Sequence, residues 1–141
     1  GVMVVEDMQH VSSLRSIASN YDTFLIDMWG VLHNGVVPYE GAVEALEELS
    51  KMTRKNKLVV LSNSSKRQSK SRALLDKLGL DPDRHFHQII TSGDVSHRIL
   101  SHDPTLPFDI WDPIRTILQG DDNDAKKVYI MGSGDDDEEY I

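Results

Sequence analysis

The run Phe24-Leu-Ile-Asp27, continued by Met-Trp-Gly30-Val-Leu-His33-Asn-Gly35, sets the tightest limit on what this chain can become. Apolar side chains lead to a single carboxylate, and a glycine-punctuated turn follows at once. A parallel strand is buried by such apolar residues. Its terminal acid emerges at the carboxyl end, where open α/β sheets hold their ligands. Pattern alone leaves a plainer reading open, a buried strand followed by a solvated aspartate in a turn. The Asn34-Gly35 pair marks a tight turn, so Gly30 to Val37 reads as a small hairpin over the strand end.

Two further runs repeat the arrangement. Lys57-Leu-Val-Val-Leu61 is β-branched and apolar on both faces, as a central parallel strand requires, and it runs straight into Ser62-Asn-Ser-Ser65-Lys66-Arg67. His87 to Thr91 is a third strand, and Thr91-Ser-Gly-Asp94 has the form of a capping box opening a helix through Leu100. Between the strands the apolar period changes to that of a helix. Pro38-Tyr-Glu-Gly41 opens one helix, with Ala42, Val43, Leu46 and Leu49 as its stripe and Glu44, Glu47, Glu48 and Lys51 on its wet face. Ala73, Leu74, Leu75 and Leu78 face inward on the next, which Gly79 ends as a left-handed cap with Leu80 as its hydrophobic contact. Asp81-Pro82 reads as a turn. Ahead of all this, Met8, Val11, Leu14, Ile17 and Ala18 predict an amphipathic helix over about 7–19.

This alternation predicts an α/β fold with right-handed crossovers and a parallel sheet, its strands near Thr23–Asp27, Leu58–Leu61 and His87–Thr91. After Ser101 the pattern breaks at Asp103-Pro104, Pro107, Asp112-Pro113 and the acidic run 121–124. Ile114, Ile117 and Leu118 suggest one short helix there, and Lys127–Met131 a strand. The division that follows is a core over 1–105 and an irregular segment over 106–141.

Charge and composition exclude several classes. A formal net charge of -8 argues against general affinity for nucleic acid, and the absence of cysteine removes disulfides and thiolate metal sites. No apolar run reaches membrane-spanning length, so no membrane insertion is expected. A soluble protein follows, with the compartment open between cytoplasm and an organelle interior. His85, His87, His97 and His102 lack metal-ligand spacing and are assigned to surface or core. The acidic runs 121–124 and 135–139 read as solvated loops.

Asp27 and Ser62 are expected at the ends of neighbouring strands, side by side in one crevice. A carboxylate facing a hydroxyl and an amide (Ser62, Asn63) before a helix N-terminus suits a phosphoryl group. The carboxylate can attack phosphorus, while the hydroxyl, the amide and helix N–H groups hold the phosphoryl oxygens. Two approaching anions call for a divalent cation, and Mg2+ suits oxygen ligands and phosphate. Equally, Ser62-Asn-Ser-Ser can be a plain N-cap and turn.

Taken together, Asp27-Met-Trp-Gly30-Val-Leu-His-Asn-Gly35, Pro38-Tyr-Glu-Gly41-Ala, Val59-Val-Leu-Ser62-Asn-Ser-Ser-Lys-Arg67 and Thr91-Ser-Gly-Asp94 resemble the haloacid dehalogenase (HAD) superfamily. The closest likeness is to subfamily IIA, whose members insert a large α/β cap after the third core strand. The resemblance covers about Tyr21 to Leu100. It implies a HAD-like, Rossmannoid three-layer sandwich, incomplete here, with the start of the inserted cap after about residue 105. It makes Asp27 the nucleophile and a Mg2+ ligand, the Trp29 main-chain carbonyl a second Mg2+ ligand, and Ser62 and Asn63 the phosphate holders. Gly30 to Gly35 becomes the mobile turn and hairpin of the site.

Two departures shape what the resemblance implies. Phosphatases of the family carry an acid–base aspartate two residues after the nucleophile, and here Trp29 stands there. Loss of a positioned acid–base costs about 10²–10⁴-fold. Family members that cleave carbon–halogen bonds carry an aromatic there, which keeps dehalogenase-like chemistry as a minor alternative. His33 is the other proton carrier in the loop, and it reads as an ordinary loop histidine. The family's third motif, a lysine, and its fourth, a Mg2+-binding acidic pair, fall past the cap and so beyond residue 141. The functional expectation is therefore a Mg2+-dependent HAD-like hydrolase fragment acting on a small phosphorylated metabolite, impaired as this chain. The alternative is a non-catalytic structural or interaction subunit. The first strand would lie at an open edge, covered by a protein partner, a dimer mate or a C-terminal half.

Overall fold

A computed structural model describes residues 11–52, 57–101 and 103–106. Three strands, β1 (Thr23–Asp27), β2 (Lys57–Ser62) and β3 (Gln88–Thr91), form a parallel sheet in the order β1-β2-β3. The helices are α1 (Ala42–Met52), α2 (Gln68–Lys77), α3 (Pro82–His85) and α4 (Ser92–Leu100). This is the α/β fold with an open parallel sheet that the alternating pattern predicts. β1 and β3 are the sheet edges among the described residues.

Strand order and crossover hand explain where the core lies. Two successive right-handed crossovers in one direction place α1 and α2 on the same side of the sheet. Leu58 and Val60 of β2 and Ile89 of β3 are buried there against Leu46 and Leu49 of α1 and Leu75 of α2. Phe24 and Ile26 of β1 pack against the same cluster. Alternate residues point the other way, and Leu25 and Leu61 are 67% and 49% exposed. The reading of β2 as buried on both faces is thus corrected: Leu58 and Val60 are covered, whereas Leu61 is not. An apolar run shows that a strand can be buried on both sides, not that a second layer is there.

Local chemistry sets the element ends. Gly79, at φ +78°, lets Leu80 N–H reach the Leu75 carbonyl at 2.9 Å, and Leu80 is fully buried. That is the left-handed cap predicted from the sequence. Asp81-Pro82 opens the one-turn helix α3 instead of a simple turn, because the Asp81 carboxylate accepts from Asp83 N–H (3.0 Å) and Arg84 N–H (3.1 Å). The predicted helix over 7–19 is replaced, in its described part, by two 3-10 turns, Leu14–Ser16 and Ala18–Asn20. Serines compete there for backbone groups: Ser13 Oγ accepts from Arg15 N–H, and Ser16 Oγ donates to the Ser13 carbonyl at 2.7 Å. The short helix and strand predicted after residue 106, both acidic runs and His102 lie outside the described residues, as does the segment expected to begin a cap.

Candidate functional site

The site begins where β1 ends. Asp27 is its last residue, paired in register with Leu61, so Ser62 stands one residue further along β2. Asp27 Oδ1 accepts from Met28 N–H at 2.7 Å, which fixes one carboxylate oxygen. The chain then folds back on itself. Leu32 N–H reaches the Met28 carbonyl (3.0 Å), Gly30 N–H the His33 carbonyl (2.9 Å) and Asn34 N–H the Val37 carbonyl (3.1 Å). The Asn34 side-chain oxygen accepts from both Val36 and Val37 N–H at 2.9 Å. This is the tight turn that Asn34-Gly35 predicts.

His33 and Trp29 seal that hairpin. Gly35 has φ +94°, and a Cβ on it would come within 2.6 Å of Trp29 Cζ3, so the indole lies flush on a position only glycine can fill. The His33 ring meets the indole edge-on, with centroids 5.6 Å apart, and His33 is fully buried. Its Nδ1 accepts from Gly35 N–H at 2.8 Å. Burial lowers the His33 pKa, so the ring is neutral with its proton on Nε2, which has no partner among the described residues. His33 is therefore a packing residue of the turn and is not placed to hand a proton to a ligand.

The loop after β2 is held differently. Ser62 is buried, and its Oγ accepts from Ser64 N–H at 3.2 Å. Ser92 Oγ donates to the carbonyls of Asn63 (3.0 Å) and Ser64 (2.7 Å), and Gly93 N–H adds a bond to Ser64 at 3.0 Å. Thr91 Oγ accepts from Asp94 N–H at 3.1 Å, the forward half of the predicted capping box. The Asp94 carboxylate reaches a different helix: one oxygen accepts from Arg67 Nε at 2.6 Å and the other from Gln68 N–H at 2.8 Å. Asp94 thereby caps α2. The expectation that the N-terminal N–H groups of α2 hold a phosphoryl group is corrected at Gln68, whose N–H already serves a carboxylate.

A cleft of about 290 Å3 opens between the two loops. Met28 and Trp29 form one wall, Ser62, Asn63 and Ser64 the floor, and Lys66, Lys70, Ser71 and Leu74 the side along α2. It carries two lysines and no acidic residue, on a chain of formal charge -8. The structure thus brings Trp29, Ser62 and Asn63 together. Asp27 is at the adjacent strand end but is not part of the lining.

For a divalent cation, the described residues offer one free oxygen of Asp27 and the Trp29 carbonyl, to which no described backbone N–H donates. Among the described residues no three His, Cys, Asp or Glu gather in a cluster that could hold a metal. Mg2+ keeps several waters and is commonly held by one or two carboxylates plus substrate phosphate, so this pair fits as an anchor for it and not as a full cage. His85 is buried and His87 is exposed, with His87 Nδ1 accepting from Leu58 N–H at 3.2 Å. No helix among the described residues is long and apolar enough to cross a membrane.

Sequence reasoning gave Lys66, Ser71 and Ser92 no role of their own in the site, and read Asp94 only as part of a local capping box. The motif Thr91-Ser-Gly-Asp94 was the available signal, but its local capping role concealed the link to the loop 28 residues earlier.

Comparison with known proteins places this geometry. Over 67 residues the chain is 37% identical to a NipSnap protein of Caenorhabditis elegans, a match that takes in 48% of this chain and 13% of that protein. A crystal structure of a hydrolase of the haloacid dehalogenase-like family from Brucella suis 1330 superposes with a TM-score of 0.57 at 27% identity, covering 64% of this chain and 33% of that one. The chain therefore spans only a minor part of the length of each of these relatives. A family profile described as haloacid dehalogenase-like hydrolase matches residues 24–141, from the first apolar strand onward. The chain belongs to the haloacid dehalogenase-like hydrolase family.

Proposed function

We propose that this chain supplies the nucleophile half of a phosphatase-type site. The observation that carries this reading is the lysine-bearing, carboxylate-free cleft floored by Ser62 and Asn63, next to the strand end that bears Asp27. Asp27 attacks phosphorus through its free oxygen and the ester oxygen leaves, giving an aspartyl-phosphate that water then hydrolyses. Ser62 and Asn63 hold the phosphoryl oxygens. Asp27 and the Trp29 carbonyl would anchor Mg2+, which when bound offsets the repulsion between carboxylate and phosphate. Trp29 cannot protonate a leaving group. Phenolates leave without a proton and alkoxides do not, so this site favours aryl phosphates over alkyl phosphates.

The test is Mg2+-dependent turnover of an aryl phosphate by the chain beside Asp27→Asn and Trp29→Asp. Turnover that vanishes in Asp27→Asn, with alkyl phosphate hydrolysis raised about 10²–10⁴-fold in Trp29→Asp, fits the reading. Equal rates for the chain and Asp27→Asn remove it. A second reading, a non-catalytic subunit that keeps the fold, is favoured by the way the Trp29 indole serves the turn by packing on Gly35 and His33. On either reading the edge of β1 that no described strand pairs is where a further strand would pair, from a partner, a second copy or a C-terminal half.

A further inference from the structure

The cleft extends past its phosphoryl floor. Lys70, Ser71 and Leu74 line it from one side of α2, and Lys66 lines it from the loop just before that helix. Ser71 is 3% exposed, and no described hydrogen bond takes up its hydroxyl. A helical serine usually returns its hydroxyl to a carbonyl one turn back. Here the hydroxyl is not among the sealed, unpartnered buried atoms, and the residue opens on the cleft. A hydroxyl that opens on the cleft and bonds no described protein group is available to an acceptor on a ligand. The Lys66 ammonium on the same wall adds positive charge, with no acid in the lining to neutralise it. The N-terminus of α2 does not account for this, because Asp94 already occupies Gln68 N–H.

We propose that Lys66 and Ser71 form a second anion subsite, so that the ligand is a compact molecule with two anionic groups. One is a phosphoryl group on Ser62 and Asn63, and the other is a phosphate or carboxylate on Lys66 and Ser71. This rests on the phosphoryl-site reading for its first group. A volume of about 290 Å3 suits a small metabolite, at the lower end of the range for small-molecule sites. Trp29 and Leu74 supply the apolar sides that such a ligand's short carbon link would touch.

The experiment is calorimetric titration of the chain with inorganic phosphate, methylenediphosphonate and phosphonoacetate, with Mg2+ present. At least one doubly anionic probe is expected to bind about tenfold or more tightly than phosphate, as one added charge-assisted hydrogen bond implies. Methylenediphosphonate ahead of phosphonoacetate assigns the second group as phosphate, and the reverse order as carboxylate. Lys66→Glu should abolish that preference and Ser71→Ala should reduce it. Alanine suits a helix interior, so folding of Ser71→Ala is not in question. Equal affinities for phosphate and both probes overturn the subsite. So does a preference that survives Lys66→Glu. The phosphoryl-site reading fails separately, through an aryl phosphate turnover that Asp27→Asn leaves unchanged while the binding preference persists.

Discussion

The two loops that form the cleft are stabilised in opposite ways. The first, residues 28–38, closes on itself: Asn34 bonds residues two and three ahead, His33 bonds Gly35, and Trp29 covers Gly35. The second, residues 62–67, is held from outside, by Ser92, Gly93 and Asp94 of the β3–α4 junction. A self-closing loop can change shape as one unit without disturbing the sheet. A loop tied to another element across 26–29 residues shifts only if that element moves too. The comparison predicts a first loop that moves and a second that stays as a fixed floor, as a site that must admit and then enclose a ligand requires.

The largest test breaks the first loop. Gly35→Ala adds a Cβ against the Trp29 ring and puts an L-residue at φ +94°. Left-handed backbone alone costs about 1–2 kcal/mol. With the steric conflict the expected loss is about 3 kcal/mol in urea unfolding. Adding Trp29→Ala should recover the steric share and leave the backbone share. Full recovery would mean that the backbone at Gly35 relaxes freely.

Next in size is Asp94→Ala. It strips the partly buried Arg67 guanidinium and Gln68 N–H of a common acceptor. A loss of about 2 kcal/mol is expected. Amide exchange should quicken at Gln68 and across residues 62–67 while residues 28–38 keep their protection. Equal loosening of both loops would merge them into one unit and end the comparison. Ser92→Ala removes one hydroxyl that donates to two carbonyls, for about 1 kcal/mol, with the same regional signature.

Acid gives the gentlest and most gradual test. Burial lowers the pKa values of His33 and His85 below 6.5 in the fold, so the unfolded chain takes up protons first as the pH falls. Stability is therefore full above about pH 6.5 and declines below it, levelling off once the folded histidines also titrate. His85→Leu removes the share from α3. What remains should appear as faster amide exchange in residues 28–38, where His33 would lose the acceptor for Gly35 N–H, and not in residues 62–67. Acid loosening of the second loop first would contradict the assignment.

These loops also separate what could be read in advance. Asn34-Gly35 signals a turn because its chemistry lies within four residues. Gly79-Leu80 signals a cap for the same reason. Asp94 could be read only as a local cap, since nothing near it in the chain names Arg67 or Gln68 as partners. His33 read as an ordinary loop histidine, because burial of a loop side chain depends on what folds over it. The N-terminal helix was misjudged because apolar spacing was weighed without the serines that compete for its backbone.

By itself, the sequence determined the strands, most of the helices, the parallel order and the positions of Asp27, Ser62 and Asn63 at strand ends. Those follow from short-range periodicity, which every residue carries in its own neighbourhood. Only the tertiary structure decided which sheet face is covered, that Asp94 and not a ligand caps α2, and that Ser71 opens on the cleft. These depend on register and on contacts between segments far apart in the chain. A shift of one residue in register would reverse every facing side chain while leaving the local pattern unchanged.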